Sequence, residues 1–255
     1  MPISHRNTVA MILFLCGLMS SPLQASEVSV AVASNFAGPM ERLVPLFQKE
    51  SGHTVKVTLG ASGKLNLQIR GKALFDVFLS ADEELPRLLV QDGLAVTGSR
   101  FAYATGNLVL WSAQPGLVDE KASVLNKGNF NMLAIANPRF SPYGVAAKET
   151  LTKLTMWNSI QEKLMKGESV TETRQLVVTE KADLAFIALS QLMRDGKMVE
   201  GGSWWQVPSE MHKPINQNAV LLTGAKDPVA AKAFLAFLKS EKARAVMRGF
   251  GYEVP

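Results

Sequence analysis

The stretch TVKVTLGASGKLNLQI, residues 54–69, decides the fold class. Its first half alternates apolar and polar residues over 54–59, which predicts a β-strand. Small residues then form a turn, and residues 64–70 carry the apolar spacing of a short helix. A strand that leads through a tight turn into a helix is the repeating unit of α/β proteins. We therefore expect the flanking segments to alternate in the same way.

The flanking segments do continue this alternation. A β-branched run at 28–33 precedes a helical pattern at 36–49, which Pro45 should kink or interrupt. After the opening stretch, DVFLS at 76–80 predicts a buried strand, and a helix over 83–91 should end at Gly93. Further strands are predicted at 107–112, 132–136, 183–188 and 219–223, and further helices at 145–154, 158–166, 171–181 and, as one or two segments, 228–247.

This alternation predicts an α/β fold with two lobes, each a mostly parallel sheet flanked by helices. No Pro/Gly/Ser-rich linker separates the lobes, so the chain should cross between them several times. A cleft between lobes is a common place for a ligand. No internal repeat or low-complexity segment changes this interpretation.

The N-terminus has the layout of a secretory signal peptide: Arg6, an apolar run, then small residues ending at Ala25. We expect cleavage after Ala25, which removes the only cysteine, Cys16, and with it any disulfide, thiolate nucleophile or cysteine metal site. Loss of Arg6 lowers the formal net charge from +5 to +4. The interspersed charges argue against nucleic-acid binding. The mature protein is expected to be soluble and periplasmic.

The GASGKL segment does not meet the requirements of a nucleotide P-loop. That loop needs Gly-x-x-x-x-Gly-Lys-Ser/Thr, but Thr58 stands at the first glycine position and Leu65 at the hydroxyl position. What remains is a helix start with Ser62 at an expected N-cap position. Unpaired N–H groups and the helix dipole make such a start an anion site. Taken alone, this motif favours Ser62 as a simple cap of its own helix.

Three other turns repeat this arrangement. Ser34 and Asn35 follow the strand at 28–33, SPYG at 141–144 precedes a helix, and Ser169 opens another. In open α/β sheets, ligands bind beyond the carboxyl ends of the strands. Four helix starts are therefore expected to face one cleft.

In five blocks the sequence resembles the periplasmic molybdate-binding proteins of ABC importers, a family of type II periplasmic substrate-binding proteins. These blocks are AVASNFAGPMERL, FQKESGHTVKVTLGASGKL, QIRGKALFDVFLSAD, LAIANPRFSPYGVAAKETL and FLKSEKARAVMRGFGYEVP. The resemblance implies a monomeric, non-enzymatic protein that captures molybdate or tungstate, needs no cofactor and delivers the oxyanion to a membrane permease with its ATPase. The implied ligands of the oxyanion are Ser34, Asn35, Ser62, Tyr143 and Val170.

The resemblance also implies how these residues act. Ser34 and Ser62 should supply hydroxyl groups, Asn35 an amide or backbone donor, and Val170 its backbone N–H. Some family members use a late-strand tyrosine where this chain has Ala188, and Tyr143 is expected to take its place. The family binds its dianion through neutral groups, so Lys64 and Arg139 should stay on the surface, away from the ligand.

The resemblance divides the chain into a signal peptide (1–25), lobe 1 (26–104 plus 225–255) and lobe 2 (105–224, including the strands that cross the hinge). One alternative is a binding protein for sulfate or phosphate. Another is an exported hydrolase, although His53 and His212 are expected to face solvent and no hydrolase motif is present. A Ser-Lys pair of Ser62 and Lys64 is its remaining version. No His/Asp/Glu cluster has the spacing of a site for a bare metal cation.

Overall fold

A computed structural model describes residues 25–255. The predicted signal peptide lies outside this range except for its last residue, Ala25, and stays a prediction. Within residues 25–255 no helix is long and apolar enough to cross a membrane.

The described chain forms two lobes, each built on a five-stranded sheet flanked by helices. The sheet of lobe 1 has the strand order β2-β1-β3-β12-β4, and the sheet of lobe 2 has the order β11-β5-β8-β6-β7. The strands are β1 (Glu27–Ala33), β2 (Thr54–Gly60), β3 (Val77–Ser80), β4 (Phe101–Gly106), β5 (Leu108–Ser112), β6 (Leu133–Ala136), β7 (Leu164–Gly167), β8 (Leu184–Ala188), β9 (Met193–Arg194), β10 (Lys197–Met198), β11 (Ser203–Gln206) and β12 (Ile215–Leu221). The α-helices are α1 (Ala37–Ser51), α2 (Ser62–Arg70), α3 (Glu84–Gln91), α4 (Ser123–Lys127), α5 (Pro142–Lys153), α6 (Val170–Val178), α7 (Pro228–Leu238) and α8 (Glu241–Gly249).

Both sheets are mixed. In lobe 1, β1 pairs in parallel with β2 and β3, whereas β12 is antiparallel to β3 and β4. In lobe 2, β6 pairs in parallel with β7 and β8, whereas β5 is antiparallel to β8 and β11. The predicted two-lobed α/β class is confirmed, and the parallel part is the three-strand βαβ core of each sheet. The antiparallel strands are those by which the chain crosses between the lobes.

Each lobe has its own apolar core. Phe36, Phe47 and Phe234 are fully buried in lobe 1, where α1, α7 and α8 cover the sheet. Leu151 and Phe186 are fully buried in lobe 2 between α5 and the sheet. Burial of apolar area on this scale is the main stabilising contribution to such a lobe.

The chain crosses between the lobes at the junction of β4 and β5 and again before β12. Strand β12 pairs only with β3 and β4 among the described strands, so it belongs to the first sheet. We therefore propose that the chain returns to lobe 1 before Ile215, earlier than the predicted boundary at residue 225. The C-terminus stays with lobe 1, where Glu253 and Thr105 exchange backbone hydrogen bonds.

Three sequence-based expectations differ from the structure. Helix α1 continues through Pro45, because this residue is exposed and water can solvate the carbonyl group that loses its intrahelical partner. The predicted helix at 158–166 is wrong: a short 3₁₀ turn there leads into β7, whose pairing with β6 outweighs the local pattern. The edge strands β4 and β11 were not predicted, because neither has a clear run of alternating apolar residues.

Candidate functional site

Four strand-to-helix turns meet at one small cavity between the lobes. Two belong to lobe 1: the 3₁₀ turn Ser34–Phe36 after β1, and the start of α2 after β2. Two belong to lobe 2: the starts of α5 and α6, after β6 and β7. The cavity is lined by Ala33, Ser34, Asn35, Gly60, Ala61, Ser62, Ala81, Ser141, Pro142 and Val170.

The cavity is compact: the space open to the centre of a water molecule is ≈ 10 Å³. Such a space holds about one water molecule, so an organic solute such as a sugar or peptide does not fit, and a small inorganic ion fits only if the walls move apart. The lining thus matches the predicted site in position, and its size restricts the class of ligand.

The lobes are closed around this cavity through direct backbone contacts. The N–H of Gly63, in the first turn of α2, donates to the carbonyl of Phe140 in lobe 2 at 2.8 Å. A side chain at Gly63 would not fit, since an added Cβ would lie 2.9 Å from the Phe140 Cα. Nearby, the Thr171 hydroxyl donates to the carbonyl of Ser34 at 3.3 Å. Glycine is therefore required at position 63 because the lobes meet there when they close.

Ser62 has a different role from the predicted N-cap. The N-cap of α2 is Ala61, and Ser62 is the first helical residue. The Ser62 hydroxyl is buried and accepts a hydrogen bond from the Ala81 N–H at 2.9 Å. Because this contact uses a lone pair, the hydroxyl proton remains available to a ligand in the cavity. The interpretation of Ser62 as a simple cap is wrong.

Ser34 and Asn35 contribute to the cavity in different ways. The buried Ser34 hydroxyl has no hydrogen-bond partner within residues 25–255, which leaves it free for a ligand. Both N–H donors of the Asn35 side chain are engaged, because its Nδ2 donates to Gln217 at 2.9 Å and to Tyr252 at 2.8 Å. Any donor that Asn35 offers to the cavity is therefore its backbone N–H.

The first turns of the helices supply further donors, since their N–H groups have no intrahelical acceptor. Ser62 and Val170 are the first residues of α2 and α6, and both line the cavity. In α5 the first residue is Pro142, which has no N–H, so the first donor comes from Tyr143. Within the described chain none of these three N–H groups has a protein acceptor.

The side chain of Tyr143 does not line the cavity. Its hydroxyl accepts a hydrogen bond from Gln217 Nε2 at 3.3 Å and lies against Gly106, where an added Cβ would be 2.1 Å from it. Burial, followed by the nearby Tyr252, raises the pKa of this hydroxyl well above its usual value, so it stays neutral. The structure thus brings Ser34, Asn35, Ser62 and Val170 together directly, whereas the Tyr143 ring points towards the hinge.

The electrostatics of the cavity come from helix dipoles. None of its lining residues, all within 25–255, has a charged side chain. Lys64 instead forms a half-exposed ion pair with Glu168 of lobe 2, and Arg139 is exposed. Each helix start presents about half a positive charge. The site is thus suited to an anion that neutral donors recognise.

A larger groove of ≈ 370 Å³ adjoins the cavity and shares Ala81, Ser141 and Pro142 with it. Its walls carry more acidic residues, Asp82, Glu83, Glu84 and Glu149, than basic ones, Arg139 and Lys213, so the net charge of the groove repels anions. The smaller cavity, with its neutral donors, is therefore the candidate anion site despite its size.

The alternative chemistries find little support in the geometry. His53 is buried, contrary to expectation, and its Nδ1 accepts from the Ser26 N–H at 3.3 Å; both residues precede their strands, β2 and β1, at the ends opposite the cavity turns. The Lys64 amine contacts Glu168, so it is not placed as a base for Ser62. Within residues 25–255 no group of His, Cys, Asp and Glu could hold a metal ion.

Two features of the site were not predicted. Ala81, at the end of β3, lines the cavity and fixes the Ser62 hydroxyl, but an alanine carries no chemical signal in a sequence. Gln217 contacts both Asn35 and Tyr143 from β12, a strand that is distant in sequence from either residue. Only the tertiary structure shows this contact.

Comparison with known proteins agrees with this architecture. A family model described as bacterial extracellular solute-binding protein matches residues 28–253. The chain belongs to this family. This solute-binding protein is 47% identical over 236 residues to the molybdate-binding protein ModA of Azotobacter vinelandii, covering 92% of this chain and 93% of that one. It is 46% identical over 235 residues to ModA of Rhodobacter capsulatus, covering 92% and 91%.

A solved structure leads to the same fold. The periplasmic molybdate-binding protein of Azotobacter vinelandii superimposes on this solute-binding protein with a TM-score of 0.87 and 38% identity, covering 89% of this chain and 99% of that one. The expected two-lobed binding-protein fold is confirmed. The names of these relatives describe binding proteins, and the chain is a solute-binding protein and not an enzyme.

Proposed function

We propose that this solute-binding protein captures molybdate, and also tungstate, in the cavity between its lobes. The observation that carries the proposal is the uncharged lining, which combines the buried hydroxyl groups of Ser34, Ser62 and Ser141 with helix starts from both lobes. A tetrahedral dianion matches such donors because it accepts hydrogen bonds at every oxygen. The names of the relatives in Azotobacter and Rhodobacter support this choice of oxyanion.

The proposed ligand set follows from which donors are free. The hydroxyl groups of Ser34 and Ser62 each donate a proton, and the backbone N–H groups of Asn35, Ser62, Tyr143 and Val170 complete the shell. Tyr143 acts through its backbone, because its side chain is held at the hinge by Gln217. It therefore does not replace the hydroxyl of a late-strand tyrosine, which is absent at Ala188.

Selectivity then rests on protonation and size. A shell without a carboxylate, whose N–H groups and hydroxyl protons are turned to the ligand, offers a protonated phosphate few acceptors for its proton, which disfavours that ligand. Sulfate is a fully deprotonated dianion but is smaller than molybdate, so it leaves donors at longer distances. We infer that the helix starts fix the donor positions once the walls have adjusted to molybdate, which makes this size difference effective.

Delivery of the oxyanion requires that a membrane transporter recognise the closed form of the protein. We propose that the protein is periplasmic, acts as a monomer without a cofactor and releases its ligand to an ABC permease in the inner membrane, driven by a cytoplasmic ATPase. Closure is a hinge motion that the ligand stabilises because it contacts both lobes.

Titration calorimetry of residues 26–255 with molybdate, tungstate, sulfate and phosphate tests this proposal. We expect tight binding of molybdate and tungstate and at least about 100-fold weaker binding of sulfate and phosphate, a difference in binding free energy of about 2.8 kcal/mol or more. Tighter binding of sulfate or phosphate would refute the proposed function in favour of another oxyanion.

A further inference from the structure

A buried polar network lies directly behind the cavity, and Gln217 is its centre. This residue of β12 is 0% exposed. Its Oε1 accepts hydrogen bonds from Asn35 Nδ2 and from the Tyr103 hydroxyl, both at 2.9 Å. Its Nε2 donates to the Tyr143 hydroxyl at 3.3 Å. One amide thus connects the Asn35 turn of the cavity wall with two tyrosines.

This network crosses from one lobe to the other. Gln217, Asn35 and Tyr103 belong to lobe 1, whereas Tyr143 lies in α5 of lobe 2. A second crossing runs beside it, where the Ser190 hydroxyl of lobe 2 donates to the Asn35 carbonyl at 2.8 Å. Both sides of the cavity wall are therefore connected through the same cluster of side chains.

Only an amide suits the position of Gln217. The Asn35 amide and the Tyr103 hydroxyl need an acceptor on the same side, and the Tyr143 hydroxyl receives a donor on the other. Burial raises the pKa of the tyrosine hydroxyls, that of Tyr252 to about 12, so these partners stay neutral. A carboxylate would offer no donor, and an apolar side chain would leave several buried polar groups without partners.

We propose that Gln217 is a positioning residue that couples ligand binding to lobe closure. Its Oε1 holds the Asn35 turn against the cavity, and its Nε2 finds the Tyr143 hydroxyl only when the lobes are closed. Ligand contacts at Asn35 and Tyr143 and the hydrogen bond from Gln217 to Tyr143 therefore form together. This inference rests on the proposed function, since it assumes that an oxyanion occupies the cavity.

The first test compares Gln217→Met with Asn218→Leu, using residues 26–255 and molybdate. Asn218 is the neighbouring buried residue of β12, and its Oδ1 accepts from Arg100 in lobe 1, so the control also removes a buried amide. Stopped-flow displacement should show a dissociation rate about tenfold higher for Gln217→Met, with an association rate within threefold of wild type. Asn218→Leu should leave both rates near the wild-type values.

The second test adds a charge in place of the amide. Gln217→Glu keeps an acceptor for Asn35 but brings a carboxylate close to the dianion when ionised. Its molybdate affinity should fall as the pH rises from 5.5 to 9, whereas the wild type and Asn218→Asp should have flat profiles over this range. A loss that reflects only weaker folding would not have this pH dependence.

The outcomes separate the two proposals. If wild type does not bind molybdate, the proposed function has failed. If wild type binds but Gln217→Met dissociates no faster than Asn218→Leu, the role of Gln217 is refuted. Should Gln217→Met not fold, Tyr143→Phe replaces it, because this variant removes the acceptor of Gln217 Nε2 and keeps the Tyr143 backbone N–H. An unchanged dissociation rate for Tyr143→Phe would equally refute the role.

Discussion

Replacement of Ser62 by alanine separates a site built from neutral donors from one built on Lys64. The Ser62 hydroxyl is buried, accepts from the Ala81 N–H at 2.9 Å and has its proton free for the ligand. A hydrogen bond to a charged partner contributes about 1.5–3 kcal/mol. Since about 1.4 kcal/mol corresponds to a factor of ten, Ser62→Ala should weaken molybdate binding by about 10- to 150-fold.

The same substitution has a second, ligand-independent effect. The Ala81 N–H loses its acceptor, which should lower the free energy of unfolding of the empty protein by about 1–3 kcal/mol. Ser99→Ala is the matched control, because the Ser99 hydroxyl accepts from the Leu221 N–H at 3.1 Å, outside the cavity lining. It should cause a comparable loss of stability and leave affinity unchanged.

Lys64→Ala provides the opposing comparison. The Lys64–Glu168 pair is half-exposed, and such pairs contribute about 0–1 kcal/mol, so affinity should change by less than about fivefold. Titration calorimetry gives the dissociation constants, and urea unfolding gives the stabilities. A loss of affinity for Lys64→Ala that equals or exceeds that of Ser62→Ala would refute a neutral-donor site.

Three further predictions concern backbone approach and pH. Gly63→Ala places a Cβ 2.9 Å from the Phe140 Cα across the cleft, which hinders closure of the lobes. Molybdate affinity should therefore fall about tenfold or more, while the melting temperature of the empty protein stays within a few degrees. An unchanged affinity would show that closure tolerates the side chain. Gly144→Ala places a Cβ 2.1 Å from the Ala136 carbonyl oxygen, so urea unfolding should show a free energy of unfolding lower by about 1–3 kcal/mol or more. An unchanged free energy of unfolding would contradict this close approach. Burial raises the pKa of Tyr252 to about 12, so the unfolded chain releases this proton first. The contribution of Tyr252 to the free energy of unfolding should be fully present below about pH 10 and be lost as the pH rises through 12. Urea unfolding at pH 8, 10 and 11 should show a shallower decline for Tyr252→Phe, and identical slopes would contradict this assignment.

Much of the lobe cores could be predicted from local pattern. The strands at 28–33, 54–59 and 132–136 and the helix starts after them agree with β1, β2, β6 and their turns, because periodicity and turn chemistry act over a few residues. The segment 158–166 could not be predicted in this way. Its strand β7 exists because β6 offers a parallel partner, and that pairing is invisible in the local sequence.

The candidate site, too, could be predicted only in part from the sequence. The sequence by itself determined that small and polar residues open four helices, which is enough to indicate an anion site, and its resemblance to a family indicated which anion. Only the tertiary structure decided which groups are free: Asn35 gives its amide to Gln217 and Tyr252, Tyr143 turns its hydroxyl to the hinge, and Ser62 keeps its proton. The physical reason is that a hydrogen-bonding group can serve a ligand only if no protein partner already uses it, and those partners come from strands far away in the chain.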